Sequence, residues 1–174
     1  MLVYETIRDF LNTGGIVLLV IFFTTIFLWS LIAERFFFFR KTYPALLQKL
    51  EAEWMAREDK SSWFAEQIRQ CLISQTTREL YKNISLIKTM VALCPLLGLM
   101  GTVTGMIAVF DVMAATGTGN ARLMASGISM ATIPTMAGMV AALSGIYFGS
   151  LYERRAKLKS EELYETLEFR TIKA

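Results

Sequence analysis

The run "MVALCPLLGLMGTVTGMIAVF" occupies positions 90–110. It carries no charge, and as a helix it is long enough to cross a hydrocarbon core of about 30 Å. Its composition is unusual for a face that meets only lipid, where Leu, Ile, Val and Phe dominate. Gly98, Thr102, Gly105 and Val109 recur at i, i+4, i+7 and i+11 and so share one face. Gly101 and Gly105 form a G-x-x-x-G pair.

A second stripe of this kind lies downstream, in the apolar run from Leu123 to Leu151. There Ala131, Thr135, Gly138, Ala142, Gly145 and Gly149 follow steps of 4, 3, 4, 3 and 4. At 1.5 Å per residue the stripe extends about 27 Å. Two readings fit both stripes. Small residues let helices approach closely, with threonine hydroxyls bonded to carbonyls of the preceding turn. Alternatively, the two faces line an enclosed path and offer hydroxyls to water or to a titrating group. Spacing alone does not choose between them. Pro95 and Pro134 interrupt the two runs and predict kinks.

A third apolar run, "GGIVLLVIFFTTIFLWSLIA" at 14–33, is the most lipid-like, with Thr24 and Thr25 its polar exceptions. The predicted organisation is an amphipathic segment 1–13, a first transmembrane helix 14–33, a helical loop 34–89, a second transmembrane helix 90–112, a short loop 113–122, a third transmembrane helix 123–151 and a helical tail 152–174. The loop contains no glycine from Glu34 to Lys88, and Ser61–Ser62 marks a turn between two helices. No glycine or proline follows Gly149, so the third helix is expected to run on into the tail. In the tail, Ala156, Leu163, Leu167 and Ile172 fall near one face.

Composition agrees. The 174 residues are 54% hydrophobic, with mean hydropathy +0.44, too apolar for an ordinary soluble domain. Of 18 Lys and Arg residues, ten lie between Glu34 and Lys88 and six follow Leu151. Arg8 and Arg122 are the two on the other side. The positive-inside rule places the loop and tail in the cytoplasm and the N-terminus and the 113–122 loop outside. Arg154 and Arg155 are placed to meet anionic headgroups, although a simple positive-inside stop also accounts for them. The N-terminus lacks a basic region before its apolar run, so the first span is expected to stay as an anchor.

The chain has no histidine, which removes imidazole as a base or metal ligand. Cys71 and Cys94 have no metal-site spacing and read as free thiols. No nucleophile elbow or phosphate loop is present, and the glycines of "GLMGTVTG" lie inside an apolar run. The expectation is a non-enzyme with no catalytic residue, metal, cofactor or nucleic-acid partner. Asp111, at the end of the second run, is an acid near a span. It reads as a solvated helix end, with Arg122 in range as a partner.

At this point the chain resembles a known family. "CPLLGLMGTVTGMIAVF" and "GISMATIPTMAGMVAAL" are similar to the second- and third-span motifs of the ExbB/TolQ/MotA proton-channel family, and the topology is similar too. Three spans resemble ExbB and TolQ rather than four-span MotA, and the brevity resembles short ExbB variants of additional TonB systems. The resemblance implies an all-α membrane protein whose second and third helices extend into the cytoplasm. It implies a homo-pentameric ring in the inner membrane of a Gram-negative bacterium, with a periplasmic N-terminus and a cytoplasmic C-terminus. An ExbD-like single-span partner would sit inside the ring and bring the proton-carrying carboxylate. A TonB-like protein would pass the work to outer-membrane import of siderophores and similar nutrients. Thr102 and Thr135 would then line the proton path. One departure stands out: many relatives hold a glutamate five residues before the motif threonine, where this chain has Met130. TolQ-like envelope maintenance, MotA-like motility and a non-conducting membrane scaffold are the alternatives.

Overall fold

The computed structural model describes residues 15–60, 62–117 and 121–167. The amphipathic segment 1–13, the tip of the short loop and the tail end with Ile172 lie outside the described residues. Every regular element described is helical: α1 (Gly15–Phe37), a five-residue π-helical turn (Phe38–Thr42), α2 (Tyr43–Met55), α3 (Trp63–Tyr81), α4 (Ile84–Thr116) and α5 (Ala121–Thr166). Three stretches, within Gly15–Met55, Trp63–Ala115 and Met124–Thr166, are long and apolar enough to cross a membrane. No glycine or proline interrupts α5 after Gly149, and the helix continues to Thr166.

The chain divides into two compact units. One combines the described residues up to Ser30 with Ile87–Tyr147; the other combines Leu31–Leu86 with the described residues from Phe148 onward.

In the first unit, α1 contributes Val17, Leu18, Ile21 and Leu28 to the interior, α4 contributes Ile87, Val91, Cys94 and Val109, and α5 contributes Ala131, Ala141 and Ala142. The three helices converge at Gly145, where an added Cβ would lie 2.3 Å from Val91 Cγ2 and 2.9 Å from Leu28 Cδ2. Bulky groups such as Phe23, Leu99, Ile107 and Leu143 point outward, as faces surrounded by lipid or other helices do. The hydroxyls of this unit mostly satisfy themselves. Thr24 and Thr25 donate to Val20 O and Ile21 O at 2.8 and 2.7 Å, and Thr132 and Ser144 likewise donate to carbonyls of their own helix. Back-bonding of this kind lets a hydroxyl sit in an apolar setting at little cost.

In the second unit, α2 and α3 form a helical hairpin packed on the end of α5. Its core is Leu50, Trp54, Ala65, Ile73, Leu163 and Leu167. The break between α2 and α3 is wider than the Ser61–Ser62 dipeptide suggests, because α2 already ends at Met55. Ser62 is the N-cap of α3: its backbone is extended at ψ 159°, and its hydroxyl accepts from Ala65 N at 3.2 Å. Asp59 in turn accepts from Ser62 N at 3.0 Å. At the other end of the unit, Arg69 Nη2 donates to Tyr164 O at 3.0 Å and its Nε to Leu167 O, closing the last carbonyls of α5.

The π-helical turn has a reason in the sequence. The inward positions at the end of α1 are Ile32 and Arg35, followed by half-buried Phe39 and buried Tyr43. Consecutive steps of four drift by about 40° each on a helix of 3.6 residues per turn. One wider turn absorbs that drift, so Tyr43 returns to the buried side. Phe39 stacks on Tyr152 with centroids 5.9 Å apart and planes 11° apart.

Candidate functional site

The two small-residue stripes meet each other. A Cβ on Gly98 would stand 3.0 Å from Thr135 Cα, one on Gly101 2.5 Å from Pro134 Cβ, and one on Gly105 2.6 Å from Ala131 Cα. Reciprocally, a Cβ on Gly138 would lie 2.5 Å from Cys94 O and 3.2 Å from Gly98 Cα. Most of the nearest atoms are backbone, which cannot swing aside. So α4 and α5 are in main-chain contact over Gly98–Gly105 and Ala131–Gly138, and Ala142, Gly145 and Gly149 continue the buried side of α5. The fold brings the two faces together.

Thr135 sits at the centre of this contact. Its hydroxyl donates across the helices to Gly98 O at 2.9 Å and along its own helix to Ala131 O at 3.3 Å. Thr102 is half-buried at the edge of the α4 face, and its hydroxyl donates to Leu99 O at 2.6 Å. Thr102 and Thr135 therefore bond to different carbonyls, one within a helix and one between helices. Pro134 is buried against Gly101, whereas Pro95 is exposed. Both prolines lie inside continuous helices. Met130 is half-buried, one residue before the Ala131 contact. Asp111 and Arg122 are both exposed.

An apolar groove of about 780 Å³ runs between α1 and α5, with Leu18, Phe22, Trp29, Met136 and Val140 among its walls. Its hydroxyls, Thr25 and Ser144, are both bonded to carbonyls of their own helices. A groove so lined suits apolar chains or helices rather than ions.

The second unit holds a polar cluster that sequence reasoning missed. Arg35 is 1% exposed. Its Nε and Nη2 grip both oxygens of Glu34 at 2.9 Å, and Nη1 donates to Glu79 O at 3.0 Å. The guanidinium carbon lies 4.7 Å from the centre of the Phe38 ring. Asn83 Nδ2 adds a third donor to Glu34 at 3.0 Å. Asn83 has φ +61°, the left-handed region that asparagine tolerates better than most side chains. The short turn between α3 and α4 is thus tied to the end of α1. Burial pushes the Glu34 carboxyl up, but the bonds from Arg35 and Asn83 and the nearby Lys82 charge outweigh it, so the group is held below the usual carboxylate range.

A run of basic residues after an apolar span reads as a stop signal, which is why Arg35 gave no warning of burial. The available clue was its place in the inward series with Ile32 and Tyr43. Tyr43 is buried farther along the same series, and its hydroxyl donates to Lys159 O at 3.2 Å. Burial, then the charges of Glu162 and Glu51, push its phenol up to about 12. Arg154 and Arg155 are exposed on α5. Among the described residues no group of acidic or sulfur side chains could hold a metal.

The chain is similar to a Synechocystis sp. protein named as a biopolymer transport protein, ExbB-like 1, with 49% identity over 61 residues, 33% of this chain and 24% of that protein. It is similar to a second from the same organism, ExbB-like 3, with 36% identity over 84 residues, 45% of this chain and 40% of that protein. The matched regions thus span less than half the length of these relatives. The family model for the MotA/TolQ/ExbB proton channels matches residues 40–165, which take in the α4–α5 contact and most of the polar unit. The chain belongs to the MotA/TolQ/ExbB proton channel family.

Proposed function

We propose that this chain is an ExbB-type subunit of a motor driven by the proton-motive force. In this reading it forms a homo-pentameric ring in the inner membrane, with the polar unit in the cytoplasm. An ExbD-like partner inside the ring supplies the titrating carboxylate. A TonB-like protein carries the work to outer-membrane import of siderophores and similar nutrients. The observation that carries the reading is a mismatch inside the family: none of the three apolar runs contains an acid, and Met130 stands where relatives often hold one. Intramembrane acids are costly and usually functional. A proton channel family member without one needs the charge from another chain. Each elementary charge crossing 100 mV releases about 2.3 kcal/mol, so several protons would drive one demanding mechanical step.

Thr102 and Thr135 are the residues proposed to solvate that carboxylate. Thr102, half-exposed at the edge of the packed face, is free to turn toward it by exchanging one carbonyl bond. Thr102→Val and Thr135→Ala are expected to lower TonB-dependent uptake while the complex still assembles. Normal uptake in both variants would sink the proposal. Met130→Ala is expected to retain substantial uptake.

The Thr135–Gly98 bond favours a second reading, in which the threonines only pack helices and the protein is a non-conducting scaffold. Under that reading, Thr135→Ala lowers the melting temperature of the extracted protein and leaves uptake per assembled complex unchanged.

A further inference from the structure

In the polar unit, aromatic rings and arginines gather where the apolar runs give way to charge. The apolar run of α1 ends at Ala33 and that of α5 at Leu151. Just beyond these ends Phe39 and Tyr152 stack on each other, and Phe148 lies on the other side of the boundary with its centroid 6.4 Å from that of Tyr152. Aromatic side chains gathered at the end of a span mark the level of the lipid headgroups. Arg40 follows the stack by one residue on one element and Arg155 by three on the other, and both are exposed.

The two arginines border the same furrow. Phe36, Arg40, Pro44 and Glu51 follow at steps of four, four and seven, and Leu151, Arg155, Lys159 and Glu162 at steps of four, four and three, so each set shares a row. The guanidinium carbon of Arg40 lies 5.8 Å from the centre of the Phe36 ring, as neighbours in a row should. The rows meet at Tyr43. Its hydroxyl donates to Lys159 O, the Lys159 ammonium lies 5.8 Å from its ring centre, and the charges of Glu51 and Glu162 both act on its phenol. Away from the span the furrow is therefore acidic, with Glu162 ion-paired to Lys159. Toward the span the two rows hold two arginines and no carboxylate. Phe36, 42% exposed, and half-buried Leu151 continue them on the membrane side. Lys41 and Arg154 are exposed at the same level, but each is one residue removed from a furrow position and so points about 100° away from it.

Two guanidinium forks with an apolar wall on the membrane side match a phosphodiester whose oxygens accept paired N–H donors and whose chains enter the bilayer. We infer that Arg40 and Arg155 hold the headgroup phosphate of one anionic phospholipid per chain, with its acyl chains along Phe36 and Leu151. Charge complementarity selects the lipid. Phosphatidylglycerol brings a net negative charge to two positive ones, whereas the phosphatidylcholine zwitterion brings a cation as well. A soluble anion would leave the exposed ring of Phe36 uncovered. The site holds whichever ion the protein moves and whichever partners it meets.

The full chain is extracted in detergent, given phosphatidylglycerol or phosphatidylcholine, and weighed intact by native mass spectrometry. Phosphatidylglycerol is expected to stay bound at one per chain, and phosphatidylcholine to be lost. Each cation at a headgroup is worth about fivefold, so Arg40→Gln with Arg155→Gln should lower retention about twenty-fivefold. Both side chains are exposed, so this double variant should melt as the parent does. Lys41→Gln with Arg154→Gln removes the same charge at the same level and should leave retention nearly unchanged. An equal loss in the two double variants would reduce the effect to general attraction by positive charge and overturn the site. Equal retention of the two lipids would overturn it as well. Displacement of phosphatidylglycerol by millimolar inorganic phosphate would assign the arginines to a soluble anion and overturn the lipid.

Discussion

The two units hold their helices together by opposite means. In the apolar unit, α4 and α5 approach by removing side chains. Glycine and alanine bring backbone to backbone, and one cross-helix hydroxyl bond joins them. In the polar unit, the helices are held apart and filled. Trp54, Tyr43, Leu163 and a buried arginine occupy the space, with caps and ion pairs around them. The contrast has a physical origin. Between helices surrounded by lipid, apolar burial supplies no drive, so contact area and hydrogen bonds must do so. Where helices are surrounded by water, burying large apolar groups is the main drive. The first unit is therefore intolerant of added volume, and the second of lost volume or an unpaired charge.

The sharpest way to break this contrast is to add volume in the first unit. Gly138→Val would press a side chain into Cys94 O and the Gly98 backbone, so a loss of about 3 kcal/mol is expected. Thermal unfolding of the extracted protein would report it, and an unchanged melting point would mean that the helices stand further apart. In the second unit, Arg35→Met removes the guanidinium and strands Glu79 O. Breaking a buried pair costs about 3–5 kcal/mol, but half-exposed Glu34 regains water, so about 2 kcal/mol is expected. The same substitution should raise the susceptibility of the α3–α4 turn to proteolysis, while Gly138→Val should not do so selectively. Ser62→Ala removes a cap and should cost about 1 kcal/mol, read by faster amide exchange in the first turn of α3.

The smallest effect is on pH dependence, and it is confined to the polar unit. Glu34 titrates below its usual range when folded. Its contribution is complete above the unfolded value of 4.5 and is lost as pH falls through the lower folded value. Tyr43 moves the other way, from 10 to about 12. Its contribution is complete below pH 10 and is lost as pH rises toward 12. Glu34→Gln should flatten the acid limb of a stability–pH curve and Tyr43→Phe the alkaline limb. A curve unchanged in both would remove these groups from the account.

Much of the apolar unit was legible because its signal is periodic. Gly98, Thr102, Gly105 and the Ala131–Gly149 series announce faces by spacing, and uncharged runs announce length. What spacing does not carry is the identity of the neighbour. Nothing in either series alone says that Gly138 meets Cys94 O, or that Thr135 reaches Gly98 O rather than a lumen. The polar unit was less legible. Arg35 looks like any basic residue after a span, and only its angular place among buried neighbours separates it from Arg40. The wide turn at Phe38–Thr42 is encoded in a double step of four, a weak signal in a run of four phenylalanines. Asn83 takes its left-handed conformation in a turn of two residues, too short for composition to mark. Three-dimensional context settles these residues, because each depends on a partner more than forty positions away or on one turn of helix.

The fit of Pro134 against Gly101 has an evolutionary consequence. The pyrrolidine ring occupies the space that a Cβ at position 101 would need, with 2.5 Å between them. The two positions are therefore a single heritable choice. A relative that gains a side chain at 101 should be found without the ring at 134, and a lineage passing from one state to the other must cross an intermediate that is either overfilled or hollow. The intermediate with the hollow is the milder, so the proline is expected to leave before the side chain arrives.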